Sequence, residues 1–250
     1  MTAYRLPLLG QISFKPFLSG VMAVFLMGLS VGAQAADLLD TVTQRGILKI
    51  ALEGSYPPFN FKENGQLTGF EVALAQALAQ KLGVKAEFST SEWSAMLAGL
   101  QAGRYDVVIN QVGITDKRKE IFDFSEPYTL SSPQLIVRKG ETRSFKTLAD
   151  LKDKKLGLGQ GTNFADVARA EGGIDIKTYP GSPKYLQDLA PGRIDAARND
   201  SLLIPCIVKK TSLSFKAGAP IGEIEKSGVA FARLFNQWFD RDVSKLPTAN

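Results

Sequence analysis

The strongest constraint on this chain is an alternation that its first half completes and its second half begins again. Between residues 47 and 110 three apolar runs, "ILKIAL", "VKAEFST" and "YDVVIN", are separated by two stretches of helical period. In "GFEVALAQALAQKLG" the positions Phe70, Val72, Leu74, Ala75, Leu78 and Leu82 fall on helical spacing. Gly83 then supplies the residue best able to turn left-handed and close a helix. "EWSAMLAGLQAG" repeats the pattern and ends on Gly103, and upstream "DLLDTVTQRG" predicts a short helix stopped by Gly46. Strands separated by helices cannot pair through tight hairpins. They pair in parallel, and the intervening helices cover the sheet.

The pattern restarts after residue 130. "SSPQLIVRKG" reads as a strand, and "TLADLKDKKLGLGQG" as a short helix followed by a strand over 155–159. "TNFADVARAEG" is a helix that Thr162 or Asn163 can cap. "IDIKTYP", "SPKYLQDLAPG" and "RIDAARND" continue as strand, helix and strand, and "SGVAFA" returns as a last strand. Two α/β units joined near 129–132 and 223–228 predict two lobes with a cleft between them. Ligands of such sheets bind beyond the carboxyl ends of the strands. Asn110 and Gln111 stop one apolar strand at such an end, and residues 159–163 stand at another.

Several function classes are excluded by what the chain lacks or mixes. It has no histidine, which removes Ser-His-Asp and Cys-His triads and any histidine-held metal. Its one cysteine, Cys206 in "LLIPCIVKK", reads as a small buried apolar residue and cannot form a disulfide within the chain. The net charge of +5 is spread among acids, without the basic stripe that nucleic-acid binding needs. Residues 1–35 read as a signal peptide. Arg5 and Lys15 give a basic start, "PFLSGVMAVFLMGLSVG" an apolar stretch, and "AQA" a small-x-small site with cleavage expected before Ala36. The mature chain is therefore expected to be exported.

Five stretches carry a resemblance to a known family: "EGSYPPFNF" (53–61), "GQLTGFEVALAQALA" (65–79), "RYDVVINQVGITDKRKEIFDFSEPYT" (104–129), "LGLGQGTNF" (156–164) and "KYLQDLAPGRIDA" (184–196). On these the chain resembles the periplasmic solute-binding proteins of polar amino-acid ABC importers, and within them the cystine-binding type. The resemblance implies an α/β, two-lobed periplasmic-binding-protein fold of type II, each lobe a mostly parallel sheet flanked by helices. Residues 36–129 with 228–250 would form lobe 1, and 130–227 lobe 2. It implies a monomer that delivers an amino acid, L-cystine or a related one, to a membrane permease, without cofactor, metal or catalytic residues.

The chemistry of the matched residues suits that ligand. Arg118 offers a planar fork for a carboxylate. Thr162 and Asn163 open a helix whose free N–H groups suit the same carboxylate. By resemblance Asp200 takes the ammonium, Tyr56 and Trp93 form an aromatic wall, Gln111 and Gly113 contact the ammonium and carboxylate, and Asn110 and Glu53 face the side chain or α-amino group. The residues alone leave other readings open. Arg118 could pair with Asp123 or Glu120, Tyr56 and Trp93 could be core aromatics, and Thr162 could be only a cap.

Two departures stand out. "DAARND" places Arg198 and Asn199 where the family has large apolar residues, and a buried charge in a strand is costly unless paired. From "SGVAFA" the chain also runs almost directly to Trp238 and Phe239, which predicts a shortened C-terminal helical region and reduced stability. The alternatives to transport are a cyclohexadienyl dehydratase-like enzyme on the same fold, with Glu53 as its acid, and a shortened, non-functional binding protein.

Overall fold

A computed structural model describes residues 38–210 and 213–232. The expected signal peptide and the Trp238–Phe239 region lie outside the described residues. Helix α1 (Leu38–Arg45) precedes strand β1 (Ile47–Leu52). A small antiparallel sheet follows, made of β2 (Ser55–Tyr56), β3 (Asn60–Glu63) and β4 (Gln66–Thr68). Then come α2 (Phe70–Lys81), β5 (Lys85–Thr90), α3 (Trp93–Gln101), β6 (Val107–Gly113), α4 (Asp116–Lys119) and β7 (Phe122–Phe124). Strand β8 (Thr129–Ser131) leads into β9 (Pro133–Arg138), a 3-10 turn (Ala149–Leu151) and β10 (Lys155–Gly159). The chain continues through α5 (Asn163–Glu171), β11 (Asp175–Tyr179), α6 (Ser182–Leu189), β12 (Ala196–Asp200), α7 (Ile204–Lys210), β13 (Phe215–Pro220) and β14 (Glu225–Ala232).

Two larger sheets carry the two lobes. The first runs β5-β1-β6-β14-β7, and the second β11-β10-β12-β9-β13. Both are mixed, where a mostly parallel sheet is expected from the sequence. In each, three parallel strands come from the strand–helix–strand units, and antiparallel strands are added on one side. In the first sheet the added β14 is the strand that returns across the cleft. Strand β8 pairs with the start of β14, Ser131 opposite Glu225 and Thr129 opposite Ser227. The two crossings between lobes therefore form one short antiparallel ladder.

Burial on both faces explains why the central strands read as continuous apolar runs. In the first sheet Ile50, Val107, Ile109 and Phe231 pack beneath α1 and α2, while Ala51, Val108, Val112 and Ala230 pack on the opposite face with Met96 and Leu100 of α3. In the second, Leu135, Leu156, Leu158 and Ala196 meet α5, while Ile136 and Ala197 meet α6 and α7. Each large aliphatic side chain removed from water contributes about 1.5–3 kcal/mol.

Two expectations change and one is met. Strand β6 does not stop at Asn110; it continues to Gly113, with Gln111 at a left-handed φ of 48°. The β6–β14 register shifts between Gly228 and Ala230, close to this kink. "RIDAARND" does form a strand, and all five residues of β12 are buried, Arg198 and Asn199 included. Cys206 is half-buried on α7 rather than a core residue.

Helix α2 shows how the cleft side of the first lobe is held. Its preceding residue, Gly69, gives no side-chain cap. Instead the carbonyls of Pro58 and Phe59 accept from Phe70 N and Glu71 N at 3.2 and 2.8 Å, satisfying donors that a helix start leaves free. That close approach requires glycine. The φ of Gly69 is 119°, and a Cβ there would sit 2.3 Å from the Phe59 carbonyl oxygen. Gly69→Ala is expected to cost at least about 1–3 kcal/mol of unfolding free energy. Urea unfolding of the two proteins reads the difference, and equal midpoints and slopes would refute it.

Candidate functional site

The cleft floor is a polar network that grows from the end of β1 and the middle of β6. Asn110 on β6 is buried, and its Oδ1 accepts from Glu53 N at 2.8 Å and from Asn60 Nδ2 at 2.9 Å. Its Nδ2 donates to Glu53 Oε2 at 3.0 Å. One residue on, the amide of Gln111 donates to Glu71 Oε1 at 2.7 Å, and Tyr128 Oη donates to the same oxygen at 2.5 Å. Gln111 Oε1 accepts from Thr129 Oγ1 at 2.7 Å. The left-handed turn at Gln111 is thus held by the fully buried carboxylate of Glu71, whose pKa burial pushes up. Sequence reasoning misses Glu71 as part of this floor. Its one hint is an acid inside the otherwise apolar start of the α2 pattern.

The walls come from both lobes. Tyr56 on β2 is buried and donates to Asn199 Oδ1 of β12 at 2.7 Å. Asn199 in turn donates to Tyr185 Oη of α6. Trp93, the first residue of α3, lies beside the turn at Gly159, where an added Cβ would come within 3.6 Å of its ring. Ser94 N donates to the carbonyl of Pro180 at 3.1 Å. These contacts between lobes make this the closed arrangement of the cleft.

Glu53, Tyr56, Trp93, Asn110, Gln111, Thr162, Asn163 and Asp200 line one chamber. Arg118 and Gly113 are not part of its wall; Arg118 lines an adjoining pocket with Gly161 and with Asn163, which borders both. Arg118 is buried, with its guanidinium 5.4 Å over the Trp93 ring. It donates to the carbonyls of Gly113 at 2.9 Å and, across the cleft, Gly161 at 3.2 Å. Burial lowers its pKa, against the opposing fields of Glu225 and Asp166. The surface pairing left open by the sequence does not describe a side chain held in this way.

On the second lobe Thr162 caps α5, its Oγ1 accepting from Ala165 N at 3.2 Å. Asn163 Nδ2 donates to Glu225 Oε2 of β14 at 2.6 Å. Asp200 ends β12; its Oδ1 accepts from Leu202 N at 2.8 Å, and its Oδ2 accepts from Ser131 Oγ. Burial raises its pKa. Glu53 faces Gly181 of the other lobe so closely that a Cβ there would lie 2.9 Å from its Oε1. Burial pushes the Glu53 carboxyl up to about 7, against the hydrogen bond from Asn110. Tyr185, Asn199 and Glu225 also reach the chamber, a placement that sequence reasoning misses. Tyr185 lies in a helix legible only by its periodicity, and Glu225 begins its strand two residues before the "SGVAFA" run. Among the described residues no group of three or more Asp, Glu, Cys or His is suited to hold a metal ion.

The comparisons with known proteins agree with this geometry. The sequence profile of the bacterial extracellular solute-binding proteins, family 3, matches residues 48–241. The L-cystine-binding protein TcyJ of Escherichia coli (strain K12) is 47% identical over 220 residues, covering 86% of this chain and 83% of that protein. The L-cystine-binding protein TcyA of Bacillus subtilis (strain 168) is 30% identical over 241 residues, covering 85% and 88%. Among solved structures, holo ArgBP from T. maritima superposes with a TM-score of 0.76 at 28% identity, covering 83% of this chain and 95% of that one. A two-lobed cleft, crossed by a ladder of two strands and matched by one profile over most of its length, identifies the chain as a member of the bacterial extracellular solute-binding proteins, family 3.

Proposed function

We propose that this chain is the substrate-binding component of an amino-acid ABC importer, capturing L-cystine in the periplasm and delivering it to a membrane permease without breaking a bond. The observation that carries this reading is a charge pattern. The buried cation Arg118 on one side of the cleft and the buried carboxylate Asp200 on the other each lack an ion pair among the described residues. A buried charge without a counter-charge is costly. A zwitterion supplies both missing partners, its carboxylate to Arg118 and the N-terminus of α5, its ammonium to Asp200. The likeness to two cystine-binding proteins supports cystine as that zwitterion. We assign residues 130–227 to the second lobe and the flanking residues to the first. The ligand favours the closed form because it touches both lobes only there.

A second reading, an enzyme on the same fold, has one observation in its favour: a cleft carboxyl, Glu53, held at about 7, where a general acid works well. Turnover of a cyclohexadienyl acid by the purified protein would favour it over binding alone.

Arg118→Ala is expected to weaken cystine binding by roughly 2–5 kcal/mol, the usual loss when one partner of a buried charge pair is truncated. Calorimetry giving equal affinities would remove Arg118 from the site. Glu53 provides a pH test. Its folded-state pKa lies above the ordinary 4.5, so the empty folded protein holds the proton more tightly than the unfolded chain. The stability of the empty protein therefore falls as pH rises from about 4.5 to about 7. A ligand ammonium facing Glu53 selects the ionised form, so cystine affinity is expected to rise between about pH 5.5 and about pH 7.5. Glu53→Gln should flatten that rise, and an unchanged profile would show that Glu53 does not face the ligand's charge.

A further inference from the structure

Arg198 is the most unusual side chain of the second lobe. It sits on β12 between Ala197 and Asn199 and is 2% exposed. Its parity on the strand turns it, with Ala196, toward α5. There its guanidinium lies 5.3 Å over the Phe164 ring, donates from Nη2 to the Ile221 carbonyl at 2.9 Å, and reaches the Phe164 carbonyl from Nη1 only at 3.5 Å. Its Nε is buried and has no hydrogen-bond partner, the one such side-chain atom among the described residues.

Arg198 also belongs to the wall of the chamber, beside Asn163, Asp200 and Glu225. Glu225 is the carboxylate whose field it feels, but Glu225 is hydrogen-bonded to Asn163 and makes no ion pair with Arg198 among the described residues. Two carbonyls do not neutralise a buried guanidinium, and an unmade hydrogen bond there has a cost of its own. An anionic ligand group in the chamber would supply the missing charge.

We propose that Arg198 is a specificity-determining residue, a second cation of the cleft that selects ligands bearing a second acidic group. This rests on the amino-acid-binding reading above and deepens it: Arg118 takes the α-carboxylate, and Arg198 answers an acid at the far end of the ligand. A ligand with one acidic group leaves Arg198 as it stands in the closed cleft, buried and without a counter-ion.

The test compares two disulfides by calorimetry. L-cystine carries two carboxylates, and the mixed disulfide of L-cysteine with cysteamine lacks one of them. The wild-type protein is expected to bind cystine about 10- to 100-fold more tightly than the mixed disulfide. Arg198→Leu should narrow that ratio to about twofold or less, and Arg198→Lys should restore part of it. Equal wild-type affinities for the two disulfides would overturn the role of Arg198 while leaving amino-acid binding intact. A ratio preserved in Arg198→Leu would overturn it too. If the folded wild-type protein binds neither disulfide, the underlying reading fails and the proposal fails with it.

Discussion

Strand β14 holds both halves of the structure in place. Its first residues pair with β8 in the ladder between lobes, and its later ones lie between β6 and β7 in the first sheet. One strand thus joins the core of a lobe to the crossing, so the position of the crossing is set by a buried sheet rather than by a free linker. The cleft inherits that order. Glu225, at the head of β14, reaches Asn163 at the start of α5, and Gln111, on the neighbouring strand, sits near the register shift between β6 and β14.

The polar floor follows from the same arrangement. A strand buried on both faces cannot simply end in water, and its last amides need partners. Glu71 and Asn110 supply them from within the first lobe, which leaves the chamber lined by groups already fixed in orientation. Such preorganisation lowers the ordering cost of binding.

Helices α1, α2, α3, α5 and α6 are legible in the sequence because period and glycine stops coincide. Gly83 and Gly103 follow α2 and α3 with positive φ, as the patterns around them require. The small β2–β4 sheet is not legible, since strands of two to four residues leave too little alternation to count. Neither α7 nor β13 emerges from the sequence pattern. The candidate residues on strand ends and helix starts can be found by resemblance and by chemistry. Tyr185 and Glu225 cannot, because their places depend on contacts between segments far apart in sequence. Arg198 is visible only as a contradiction, a charge in a strand that should be apolar, and the structure buries it against carbonyls and a ring.

Trp93 carries a further consequence. Its indole lies under the Arg118 guanidinium of its own lobe and beside the Gly159 turn of the other. Separating the lobes would remove the second neighbour and admit water to one side of the ring. The protein therefore carries an optical gauge at its own seam, whose emission colour would follow the opening and shutting of the cleft without any added label.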